Sequence, residues 1–269
     1  MKTYRNKHRI VITTLFLSIL MACAVVPITG RKQLSLISEQ EMIGMSFTSY
    51  KQFLSENELS NDQTATRMVK RVGNRIAVAV TKFLKDKGME ERVMDYQWEF
   101  NLVDEDVPNA WCMPGGKVVV YSGLLPLTKD EAGLAVVMGH EIAHAIARHG
   151  NERMSQELAV QMGGVALSAA IQEKPEETQA LFMAAYGIGT QVGAMLPYSR
   201  LHESEADKMG LIFMAMAGYN PEVAIPFWER MSQKGGQKPP EILSTHPADE
   251  TRIANLKEFM PEALKYYKK

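Results

Sequence analysis

Apolar and polar positions change period along the chain, and the changes divide it into elements. Ser38-Glu39-Gln40-Glu41 is a capping box that opens a helix running to about Ser55. After the polar break 57–62, Met68, Val72, Ile76, Val80 and Phe83 recur at helical spacing, which predicts a helix over 63–87 with Gly88 as its stop. From Met94 to Val103 the period drops to two. Tyr96, Trp98, Phe100 and Leu102 alternate with Gln97, Glu99 and Asn101, the pattern of a half-buried strand. Pro114-Gly115-Gly116 is a tight turn, and the β-branched run from Lys117 to Tyr121 is a second strand. Thr128-Lys129-Asp130-Glu131 reads as another capping box, opening an apolar helix that Gly150 and Asn151 end. Further helices are expected over 152–171, 176–195, 201–217, from the Asn220-Pro221 cap to about Met231, and from Pro247 through Phe259, with a Gly/Pro/Lys loop over 233–240. The Ala, Gly and Met richness of 152–195 points to close helix packing, because neither segment has 18 uninterrupted apolar residues. The expected fold is mainly α with a small antiparallel β-sheet.

Within the apolar helix of 130–149 stands His140-Glu141-Ile142-Ala143-His144. Histidines four apart lie one turn apart on the same side of a helix, so both imidazoles reach one metal ion. Glu141 between them is placed to act as general base for water, the arrangement of zinc peptidases. Val136, Val137, Ile142 and Ile146 surround the motif with core residues, and burying this polar set without a metal would be costly. A catalytic zinc uses three protein ligands, so one more is needed. Glu203 and Asp207 share a helix face at i, i+4 spacing. The reading from the residues is Glu203 on zinc and Asp207 hydrogen-bonded to a ligating imidazole. His149, nine residues beyond His140, is expected on the opposite face of the helix, at the surface near its end.

Charge and composition narrow the setting. The chain of 269 residues is 46% hydrophobic and 23% charged with a formal charge of −1, which argues against a nucleic-acid partner held by a basic face. All the basic residues of 1–22, Lys2, Arg5, Lys7 and Arg9, precede an apolar run from Ile10 to Met21, as in a secretory signal. Leu20-Met21-Ala22-Cys23 resembles the bacterial lipobox, whose cysteine is lipidated. This gives residues 1–22 as a signal peptide, 23–37 as a lipidated extended tether and 38–269 as the catalytic domain. With Ala24 after Cys23, the resemblance implies an outer-membrane position facing the periplasm of a Gram-negative-type bacterium. Cys112 would then be the one thiol left.

Four segments carry a wider resemblance: Asn109-Ala110-Trp111-Cys112-Met113-Pro114-Gly115-Gly116, the H-E-x-x-H, Arg200 through Asp207, and Ser244-Thr245-His246-Pro247 with Arg252. Together they make the chain similar to the HtpX-like and CAAX-prenyl-protease-type zinc metallopeptidases (gluzincins), in their bacterial periplasmic lipoprotein branch without a tetratricopeptide extension. The resemblance implies a helical zinc-peptidase domain holding one zinc on His140, His144 and Glu203, with Asp207 orienting a ligand. It further implies that Asn109 and the Lys117–Tyr121 edge bind an extended peptide by strand addition. His246 and Arg252 would approach the metal, either stabilising the oxyanion or, for His246, capping the zinc and silencing it. His202 and Ser204 depart from the family's usual residues without touching a ligand. The expected activity is hydrolysis of cell-envelope proteins that are misfolded or misassembled, by an enzyme anchored to the membrane through lipid on Cys23. The alternative is a proteolytically silent zinc protein that holds such clients, with His246 as a permanent fourth ligand.

Overall fold

A computed structural model describes residues 23–191, 195–233, 246 and 250–268. Residues 1–22, expected as a signal peptide, all but the first residue of the expected 233–240 loop, and Pro247 lie outside the described residues. The chain begins with an antiparallel hairpin, β1 (Cys23–Val25) and β2 (Lys32–Leu34). Two helices follow, α1 (Glu39–Glu56) and α2 (Gln63–Asp86). The Ser38/Glu41 capping box forms as its sequence requires, and α2 buries Val69, Val72, Ile76, Val80 and Phe83 on one side.

The sheet contains β3 (Glu99–Val103), β4 (Ala110–Met113) and β5 (Lys117–Tyr121) in the order β3-β5-β4. It is mixed: β4 pairs antiparallel with β5, but β3 pairs parallel with it. Gly115 and Gly116, both at φ +84°, turn β4 into β5 in a conformation that a side chain would strain. The alternation expected of β3 is also interrupted, because Asn101 is buried as well as Phe100 and Leu102. Its amide donates to the Tyr50 hydroxyl of α1 at 2.7 Å, so the sheet is covered on both faces.

At the centre lies α3 (Glu131–Ile146), buried on nearly every side as expected of an apolar helix inside a domain. Asp130, accepting from Gly133 N at 2.8 Å, caps it in place of Thr128. The helix ends at Ala147, and Arg148 at φ +61° turns the chain into α4 (His149–Ile171). After α5 (Glu176–Thr190) come α6 (Leu196–Met216), α7 (Ala224–Gln233) and α8 (Glu250–Leu264). The fold is the α-rich one expected from the sequence.

Two expectations change here. The stretch 23–37 is a docked hairpin rather than a free tether. Val26 is fully buried, Leu36 N donates to Ser155 Oγ at 2.9 Å, and Asn151 Nδ2 donates to Ile37 O at 2.8 Å. Close packing of 152–195 extends mainly to contact between α4 and α5, where Tyr186 Oη donates to Val160 O at 2.8 Å. Val165 (72% exposed) and Leu181 (69%) face outward on this pair. Among the described residues no helix is long and apolar enough to cross a membrane.

Candidate metal centre

The site is built where α3 crosses α6. A Cβ placed on Gly210 would lie 2.9 Å from His140 N, and one on Gly139 3.0 Å from Gly210 O. The two glycines let the backbones approach beside His140, which brings the carboxylates of α6 within reach of the histidines of α3. Four donors converge there. His140 Nε2 lies 3.0 Å from His144 Nε2, 3.1 Å from His246 Nδ1 and 3.3 Å from Glu203 Oε2. Glu203 also lies 3.3 Å from His144 Nε2 and 2.8 Å from His246 Nδ1. A tetrahedron with bonds of about 2.0–2.1 Å has edges of roughly 3.3 Å, so these N and O donors fit one zinc ion. Glu141 is 5% exposed, and its Oε1 makes no hydrogen bond among the described residues; His246 Nε2 is 3.5 Å away. Burial raises the Glu141 carboxyl above its ordinary value, as suits a base working near neutrality.

Each H-E-x-x-H imidazole is fixed from behind. His140 Nδ1 meets Asp207 Oδ1 at 3.0 Å. Asp207 is gripped by Arg252, with Nε on Oδ2 at 2.8 Å and Nη2 on Oδ1 at 2.6 Å. The guanidinium lies 3.5 Å from the centroid of Trp228 and donates to His246 O at 3.2 Å. Burial works against a charge on His140, but the hydrogen bonds to Asp207 and Glu203 outweigh it and raise the imidazole to about 9. His144 instead presents Nδ1 to His149 Nδ1 at 2.9 Å, and burial drives it well below the ordinary histidine range.

The sequence profile of Peptidase family M48 matches residues 63–260. The chain belongs to peptidase family M48. Zinc is the metal of M48 metallopeptidases, and the His/Glu cluster suits it. The chain is 36% identical over 243 residues to Mitochondrial metalloendopeptidase OMA1 of Schizosaccharomyces pombe, covering 88% of this chain and 66% of the relative. It is 30% identical over 247 residues to Metalloendopeptidase OMA1, mitochondrial, of Homo sapiens, covering 89% and 46%. To Beta-barrel assembly-enhancing protease of Escherichia coli it is 33% identical over 163 residues, covering 59% and 33%. The chain thus spans between a third and two thirds of the length of these relatives. The mitochondrial names overturn the expectation of a Gram-negative outer membrane facing the periplasm, and that location is not retained.

The structure brings His140, His144, Glu203 and His246 into one cluster and sets Asp207 against His140. Arg252 lies beside it, engaged with Asp207 and 3.6 Å from Glu203 Oε2. Asn109 accepts from Ala110 N at 2.9 Å and lines a cleft of about 680 Å³ that also exposes Glu141, His144 and His246. The proposed peptide edge moves, however. The strand Lys117–Tyr121 is central, flanked by β3 and β4, so its edges are occupied. The edge strand at the cleft is β4, which starts directly after Asn109 and contributes Ala110, Trp111 and Cys112 to the wall.

His149 is corrected as well. It is 3% exposed, because the left-handed turn at Arg148 ends α3 and folds the next helix back against the site. Counting nine residues along an unbroken helix put it on the wrong face. The sequence reading does not reach Trp228, under Arg252, or Glu205, which accepts from His149 Nε2 at 3.1 Å. Glu205 is visible in the sequence as the middle acid of Glu203, Glu205 and Asp207, but its partners are not.

Proposed function

We propose that the chain is a zinc-dependent metalloendopeptidase whose site is His140, His144 and Glu203 with Glu141 as general base. The observation that carries this is the convergence of those three donors beside a buried carboxylate oxygen with no other hydrogen-bond partner among the described residues. Zinc held by this set supplies Lewis-acid chemistry, acidifying water and polarising a carbonyl. Glu141 takes the water's proton and delivers it to the departing amine, while Asp207 and Arg252 keep His140 in place. An extended peptide adds to the β4 edge with Asn109 at its end, and His246 and Arg252 are the candidate donors to the developing oxyanion. Glu141→Gln should retain zinc and lose about 10²–10⁴-fold in cleavage of an unfolded protein such as casein. Cleavage at the wild-type rate by a zinc-loaded, pure Glu141→Gln preparation would sink the assignment.

The narrower proposal is that the substrates are misfolded or misassembled envelope proteins; the E. coli relative, a Beta-barrel assembly-enhancing protease, supports that direction. Lipid attachment at Cys23, the first residue of β1, is the accompanying proposal for membrane contact, motivated by Leu20-Met21-Ala22-Cys23. Incorporation of labelled palmitate that persists in Cys23→Ser would remove it. A second reading has one observation in its favour. His246 Nδ1 stands 2.8 Å from Glu203 and 3.1 Å from His140, in the position of a fourth ligand. A capped centre that only holds clients should show no cleavage in wild type or in His246→Ala. Cleavage that rises in His246→Ala identifies a gated enzyme.

A further inference from the structure

Behind His144 lies a buried network that the proposed chemistry does not use. Its members come from three parts of the chain: the N-terminal hairpin, the start of α4 and the start of α6. We propose that Arg31, on that hairpin, is a positioning residue for the metal ligand His144, acting through Glu205 and His149. The inference rests on the zinc reading above.

The hydrogen bonds fix a direction. With His144 Nε2 turned to the other donors, its Nδ1 carries the proton and donates to His149 Nδ1, 2.9 Å away. His149 must then hold its own proton on Nε2, which donates to Glu205 Oε2 at 3.1 Å. Arg31 fixes Glu205, with Nε on Oε1 at 3.0 Å and Nη2 on Oε2 at 2.9 Å, and Thr29 Oγ1 adds a bond to Oε1 at 2.6 Å. The other side of the same guanidinium grips Glu152 at 2.8 and 2.7 Å. Glu152 accepts from His202 Nε2 at 2.8 Å, and the His202 ring stacks on His149 at 4.2 Å and 13°. Arg31 therefore controls His149 twice: through the acceptor of its proton and through the ring that sets its plane. Glu152 and Glu205 are each 1% exposed, so a cation must neutralise them in place. Only a planar fork serves both carboxylates at once.

A plain anchoring role would also bury these pairs, so the test reads the metal. In the full chain, zinc affinity is measured by competition with a chromogenic chelator, and ligand geometry by the visible absorption of the cobalt-substituted protein. Arg31→Met should weaken zinc binding up to about tenfold and alter the cobalt spectrum. Arg31→Lys should recover part of the loss, and Lys32→Ala, its exposed neighbour, should match wild type. Because both act along one path, Arg31→Met with His149→Gln should bind zinc no more weakly than the worse single variant. Wild-type affinity and spectrum in Arg31→Met, with only thermal stability lowered, would overturn the inference, as would fully additive effects in the double variant. If Arg31→Met does not fold, Thr29→Val is read the same way: an altered cobalt spectrum supports the path and an unchanged one overturns it. A wild-type chain that binds no zinc would fail differently, removing the metal-centre reading together with the inference.

Discussion

On one side of the proposed metal centre His140 meets a carboxylate directly; on the other, His144 meets a second imidazole and reaches its carboxylate one residue later. Each path ends on an arginine from a distant part of the chain, Arg252 of α8 for His140 and Arg31 of the hairpin for His144. The electrostatic consequences differ. Hydrogen bonds to Asp207 and Glu203 raise His140 to about 9 despite burial, whereas burial drives His144, with an imidazole in place of a carboxylate behind it, well below the ordinary range. In the proposed zinc site, direct contact would give a more basic ligand and the relay would give orientation with less charge. The two arginines also make the centre depend on the docking of both terminal segments.

The largest effect should follow from removing the direct anion. Asp207→Ala leaves Arg252 buried without its bidentate partner, which should cost about 3–5 kcal/mol of stability. It should also weaken zinc by up to about 100-fold, measurable by denaturant unfolding and chelator competition. A loss smaller than that of His149→Gln would reverse the ranking of the two sides. Next comes the crossing that serves both. Gly210→Ala sets a Cβ 2.9 Å from His140 N, against backbone that cannot turn aside. It should destabilise by about 1–3 kcal/mol and lower zinc affinity, whereas Gly187→Ala, with open space around it, should do neither. The relay should be weaker: His149→Gln is expected to reduce zinc affinity about tenfold, near the lower bound for residues behind a ligand.

These contrasts show what a one-dimensional reading could reach. His140, Glu141 and His144, and likewise Glu203 and Asp207, are spaced within single helices, where the period of the α-helix converts sequence distance into a shared face. The α2 core and the Ser38 cap are local in the same sense. His246 and Arg252 required a family resemblance, because nothing local ties them to α3. His149 defeated the helix count through one residue, Arg148 at φ +61°. The parallel pairing of β3 with β5, and the Arg31 contacts with Glu152 and Glu205 across 121 and 174 residues, arise only from tertiary packing. The glycines at 139 and 210 were legible as letters, but their purpose lies in the partner helix.

The smallest expected effect concerns acid, and its sign can be worked out from the relay. Burial pushes His149 down to about 4, below an unfolded histidine near 6.5. Its neutral form therefore stabilises the fold above about 6.5, and that contribution is lost as pH falls toward 4. Burial alone would raise Glu205, but hydrogen bonds from His149, Arg31 and Thr29 pull it down to about 2. Its contribution is present above the unfolded carboxylate value near 4.3 and is lost as pH falls from there toward 2. Both groups erode stability in the same direction, in successive windows. His144, which burial also holds below its ordinary value, adds to the upper window, so the zinc-free chain, followed by circular dichroism in mild denaturant, should lose stability from about pH 6.5 down to about 2. His149→Gln should shrink the upper loss to the share of His144 and leave the lower one, because Glu205 keeps its bonds to Arg31 and Thr29. An upper loss that survives His149→Gln unchanged would mean that the relay histidine is not a group titrating there.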